Sequence, residues 1–116
     1  MKGCVIYQGE QQQICSYLQI NDANAVLTDY VIIAYLLSNK NAIGKFRFPT
    51  AEGYNAITLA DSNTQMNLVI TEEMTIAATP GYPLEIEAKF ISGETTITVR
   101  DEIYEEVKWA ATQNEA

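Results

Sequence analysis

The sequence predicts an all-β protein, an antiparallel β-sandwich of seven to eight short strands, and three observations predict it. Apolar side chains recur at every second position: Leu84, Ile86, Ala88 and Phe90 alternate with Glu85, Glu87 and Lys89, the period of a strand with one face in a core and one in water. Clusters of turn formers separate such stretches at intervals of roughly eight to twelve residues. No apolar pattern sustains a helix longer than a few residues. A partly closed barrel is the alternative architecture, favoured if the C-terminal strand is long enough to close the sheet.

Each element follows from its residues. Residues 5–7 form a first short strand, and Gln8, Gly9 and Glu10 bend the chain. In residues 11–20, Ile14, Ser16, Leu18 and Ile20 share one face and Gln11, Gln13, Cys15, Tyr17 and Gln19 the other. Asn21, Asp22 and Asn24 end that strand, because their side chains hydrogen-bond their own backbone. Residues 28–37 are apolar on both faces and rich in β-branched and aromatic side chains, which marks the central strand. A turn at residues 38–41 leads to a strand at 44–48, closed by Pro49. Residues 50–55 read as a polar loop. Ile57 and Leu59 begin another strand, and the turn at 61–64 joins it in a hairpin to Met66, Leu68 and Ile70.

Thr71 followed by Glu72, Glu73 and Met74 caps a single helical turn, since a hydroxyl accepts an orphan N–H and acids suit the positive end of a helix. Pro80 and Gly81 then turn the chain into the last hairpin, whose strands 84–90 and 96–100 are linked through Gly93. From Asp101 two patterns compete. Ile103, Val107 and Trp109 continue the odd-numbered face of Ile97 and Val99, whereas the i, i+4 pair Ile103 and Val107 with Ala110 and Ala111 suits a helix. A strand to about residue 108 is the preferred reading. Residues 1–110 thus form one domain, and 111–116 a flexible tail.

At 116 residues the chain is one domain by length, large enough to bury about two thirds of its unfolded surface. Fifteen acidic and seven basic residues give a net charge of −8, which repels phosphate backbones and argues against nucleic acid as a partner. Lys2 is followed by no long apolar region of the signal-peptide kind, and no apolar run approaches a membrane span. Met1 and self-contained ends suggest a complete small gene product. Cys4 and Cys15, with no histidine in the chain, cannot build a thiolate and imidazole zinc site, and read as two free thiols on or near neighbouring strands. A disulfide between them remains geometrically open.

No constellation for catalysis stands out, and no cofactor or metal is expected. The acids Glu72, Glu73, Glu85, Glu87, Asp101, Glu102, Glu105 and Glu106 lack the spacing of a calcium loop and read as a solvated face. Cys15 has no histidine to activate it. The tyrosines, with Phe46, Phe48 and Trp109, are candidates for a sugar-stacking platform, Tyr54 foremost because it lies with Asn55 in a polar loop without an evident strand neighbour.

The order of several features resembles a family. Gly9 and Glu10 precede the first long strand, and Ile33, Ala34, Tyr35 and Leu36 form an apolar central one. Val69 to Thr75 reads as a strand followed by a Thr-acid-Thr turn. Gly81 and Tyr82 precede the alternating Leu84, Glu85, Ile86 and Glu87, and Ser92, Gly93, Glu94 and Thr95 make a last hairpin. Together these resemble the Ig-like N-terminal domain of the phage baseplate upper protein and related small sandwiches of tail and head fibres. The chain departs from that pattern in a longer loop at 54–64 and in the Thr-Thr-Ile-Thr-Val-Arg segment at 95–100.

The resemblance implies an Ig-like β-sandwich that serves as a non-enzymatic structural or adaptor part of a virion, made in the host cytoplasm. It would contact other virion proteins and self-associate as a trimer or higher ring. Sandwich edges are a natural means, because an edge must be defended or else pairs with another chain. Lys45 and Arg47 would defend the edge at 44–48, whereas Gln11, Gln12 and Gln13 offer an edge without charge. The alternatives are a carbohydrate- or surface-binding module centred on Tyr54, and an Ig-like domain of a larger bacterial surface protein.

Overall fold

A computed structural model describes residues 4–109 of the chain, and the expected tail at 111–116 lies outside the described residues. The chain forms β1 (Val5–Tyr7), β2 (Gln12–Tyr17), β3 (Gln19–Ile20), β4 (Ala23–Asn24), a 3-10 turn (Leu27–Asp29), β5 (Val31–Ser38), β6 (Asn41–Phe48), β7 (Asn55–Ala56), β8 (Thr58–Ala60), β9 (Gln65–Ile70), α1 (Glu72–Ala77), β10 (Leu84–Ser92), β11 (Thr95–Tyr104) and β12 (Glu106–Lys108). The all-β sandwich is borne out. Its strands are more numerous than the seven or eight expected, because long segments are interrupted. The strand expected over 11–20 breaks at Leu18, whose side chain turns into the core while Ile20 stays exposed.

A five-stranded sheet in the order β11-β10-β5-β6-β7 faces a three-stranded sheet in the order β2-β9-β8. Central β5 buries Ile32, Ala34, Leu36 and Ser38, and the half-buried Val31, Ile33, Tyr35 and Leu37 line its other face. β10 contributes Leu84, Ile86, Ala88 and Phe90, and β9 answers from the opposite layer with Met66, Leu68 and Ile70. Burying a side chain of this size stabilises by about 1.5–3 kcal/mol. A cross-strand pair contributes only about 0.2–1 kcal/mol, so the apolar period decides the register.

Turn chemistry matches this register. The β5–β6 hairpin turns through Asn39 and Lys40 with φ of 48° and 68°, and the β3–β4 hairpin through Asn21 and Asp22 with φ of 52° and 65°. Two left-handed central residues are what a type I′ turn requires. In the β10–β11 hairpin Gly93 takes φ 59°. Near residue 101 the strand reading is the correct one: β11 continues to Tyr104, where the register with β10 shifts between Leu84 and Glu85. This bulge breaks the alternation, so neighbouring Ile103 and Tyr104 are both buried. β12 then pairs in parallel with β1, tying the two ends of the domain together.

The helix is longer than the single turn expected. Thr71 caps it as predicted, its hydroxyl accepting from the Met74 N–H at 3.3 Å. α1 persists because it docks. Thr75 is fully buried, and its hydroxyl accepts from the Gly9 N–H at 2.9 Å and lies 3.0 Å from the carbonyl oxygens of both Glu10 and Glu72. The Gln8 amide donates to the carbonyls of Ile76 and Ala78 at the other end of the helix. Gly44 leaves room for the helix: a Cβ there would stand 2.8 Å from the Met74 sulfur.

Two stability predictions follow from these contacts. Thr75→Val keeps the shape but removes the acceptor of the Gly9 N–H, so chemical denaturation should show a loss of about 0.5–1.5 kcal/mol, with Thr75→Ser closer to the parent. Lys40→Gly relieves a left-handed non-glycine residue and should raise stability by about 0.5–1 kcal/mol in the same measurement.

Candidate functional site

The sequence candidates fall in two places. Gln11 precedes β2, and Gln12 and Gln13 lie on it; β2 is an edge strand, as expected, and all three glutamines are exposed. Gln12 donates to the Glu10 carboxylate at 3.2 Å. The edge assigned to Lys45 and Arg47 is a correction. β6 does not end its sheet there, because the loop after Pro49 returns alongside it and β7 pairs Asn55 with Phe46 and Ala56 with Arg47. The Asn55 amide donates to the Lys45 carbonyl at 3.1 Å, and the Ile57 N–H to the Arg47 carbonyl at 3.4 Å. Lys45 and Arg47 therefore project from a covered strand, opposite Tyr35 and Ile33.

Tyr54 is half-buried, and the Lys45 ammonium stands 5.4 Å from its ring centroid. One ring face is thus engaged in a cation–π contact, and Asn55 is committed to holding the loop. The other aromatic candidates scatter. Phe46 is in the core, Phe48 packs against it, and Trp109 is 56% exposed beside β12. Gln11 and Asn55 do meet, in an open depression of about 720 Å³ shared with Thr71, Glu72 and Glu73. Among the described residues no group of three or more histidine, cysteine, aspartate or glutamate side chains is arranged to hold a metal ion. Cys4 and Cys15 are free thiols, the first half-buried and the second exposed.

The feature not singled out in the sequence is β11. Among the described residues the two main sheets end on β7, β8, β2 and β11, of two, three, six and ten residues. Very short edges are self-limiting, and a long flat one invites pairing. From Thr95 to Val99 β11 carries no charge, no proline and no bulge. Its inward residues Ile97 and Val99 oppose Phe90 and Ala88, yet Val99 remains 39% exposed because nothing lies beyond it. Between β11 and β2 the sandwich gapes in a groove of about 420 Å³, whose apolar floor includes Leu68, Ile86 and Phe90. The signal was present in the sequence: five uncharged residues, all β-branched and three of them threonine, on the outer arm of a hairpin.

Tyr104 closes the other end of β11. Burial first, then the Glu10 carboxylate, then Cys4 hold its phenol above the ordinary tyrosine value. Neither a protein-family model nor a curated protein matches this chain.

The unfolded chain gives up the Tyr104 proton at lower pH than the folded one. Stability from this group is therefore complete below about pH 10 and falls as pH rises through the folded value. Tyr104→Phe should flatten that alkaline decline in denaturation midpoints measured from pH 8 to 11.

Proposed function

We propose that this chain is a non-enzymatic structural or adaptor protein of a phage or phage-like particle, assembling with neighbouring subunits through its sheet edges. The observation that carries the reading is the free edge of β11, uncharged from Thr95 to Val99, beside a groove with an apolar floor. An exposed edge of this kind presents unpaired N–H and C=O groups to a second chain, and strand addition is a common mode of docking. The resemblance in the order of Gly9-Glu10, the apolar central strand, the Thr-acid-Thr segment and the last hairpin supplies the particle context. The negative charge supports contacts with protein over contacts with nucleic acid. Within such a particle the chain self-associates and also meets other virion proteins.

Size-exclusion chromatography with light scattering at micromolar concentration should show an oligomer, and an antibody to the chain should detect it in purified particles from its source. A clean monomer that is also missing from the particles would remove the proposal.

A further inference from the structure

We infer that the β11 edge pairs antiparallel with the same edge of a second copy, about a two-fold axis at Thr98, joining the two five-stranded sheets into one. The inference rests on the assembly reading above and deepens it by naming the edge, the occupant and the register. The argument begins with which registers are possible. In an antiparallel pair, residues directly opposite each other point to the same face. A two-fold axis normal to the sheet keeps the core-facing side of both copies together, so the axis must pass beside one residue, which then opposes itself.

Side-chain chemistry selects that residue. Centred on Arg100 or Asp101, the pairing sets like charges directly opposite, which destabilises. Centred on Val99, it sets Ile97 against Asp101 of the second copy. Centred on Ile97, it spans only residues 95–99 of the strand. Centred on Thr98, it spans 95–101, with Thr98 on Thr98, Ile97 on Val99, Thr96 on Arg100 and Thr95 on Asp101. Within this span apolar residues meet apolar ones twice, charged residues meet threonine hydroxyls and no like charges face one another; Glu94 of the turn and Glu102 come opposite only beyond it.

The same pairing accounts for the exposed Val99, which the Ile97 of the second copy covers on the core-facing side. The bulge at Ile103 and Tyr104 ends the flat part of the edge just beyond the paired span. On the outer face Thr96, Thr98 and Arg100 continue the polar surface of β10, where Arg100 stands 3.8 Å from Glu87. Such a contact is isologous and closes at two copies.

The self-opposition of Thr98 supplies the test. Thr98 is exposed, so Thr98→Lys and Thr98→Glu should fold like the parent by circular dichroism. Light scattering of the full chain should show a dimer for the parent. Each variant alone should dissociate, its dimer dissociation constant raised roughly tenfold or more by like charges across the axis. An equimolar mixture of the two variants should recover a heterodimer with opposite charges at the axis. Variants that remain as dimeric as the parent, or a parent that forms trimers or rings untouched by these changes, would overturn the two-fold pairing and leave edge-mediated assembly standing. A monomeric parent overturns the pairing too, and its presence in purified particles then decides separately whether the particle reading survives.

Discussion

β10 is the strand on which the other elements depend. It is bonded on one side to β5 along eight residue pairs, Leu84 to Ile91, and on the other to β11. Its inner face carries four apolar side chains that are almost fully buried, and its outer face carries Glu85, Glu87 and Lys89. A slip of one residue would put those charges into the core, at a cost no cross-strand contact could offset. That penalty holds β5 in the middle of the sheet, and β5 in turn places β6 and the helix that rests on it. It also leaves β11 as the last strand of the sheet.

A second constraint acts where β1 and β12 meet. β1 and β12 run parallel, Gly81 donates to the Val107 carbonyl at 2.7 Å, and the Val107 N–H donates to Tyr82. Ser38, buried at the end of β5, accepts from the Thr79 N–H at 2.8 Å. Thr75 joins the same region to the bend at Gly9 and Glu10. Ser38 and Thr75 are buried polar groups, each satisfied by a residue distant in sequence, so the helix, β1, β12 and the central strand hold one another in place. Local propensity would give α1 almost nothing on its own, since six residues are too few for an isolated helix.

The two constraints leave the molecule asymmetric. One side of the sandwich is closed by α1 and by the loop that lays β7 along β6, so that edge is short and covered. The opposite side opens between β2 and β11, where apolar floor residues sit below two edge strands, each paired on one side only. Proteins that act alone usually blunt such an edge with lysine, proline or a bulge. On β11 the charges at Arg100, Asp101 and Glu102 and the bulge at Ile103 come only after the flat stretch from Thr95 to Val99. The assembly proposed for this chain uses the edge that the fold leaves free rather than β6, which β7 covers at Phe46 and Arg47.

Much of the architecture was legible in residue order because it depends on local periods. Alternation marked β2, β9, β10 and β11, the two-sided apolar run marked β5 as central, and the Thr71 cap marked the start of α1. What depends on distant partners was not legible. Leu18 breaks the strand expected over 11–20, α1 outlasts one turn because Thr75 and Met74 find a site against Gly9 and Gly44, and β12 pairs with β1 across the whole chain. The candidate site divides the same way. The amino-acid sequence by itself determined that Gln12 and Gln13 stand on a half-wet strand and that residues 95–99 are an uncharged β-former, since both are statements about neighbours in the chain. Only the tertiary structure decided that Asn55 and Ala56 cover the edge of Lys45 and Arg47 while β11 stays open, because an edge is defined by which strand lies beside it, and that is settled by packing rather than by any local preference.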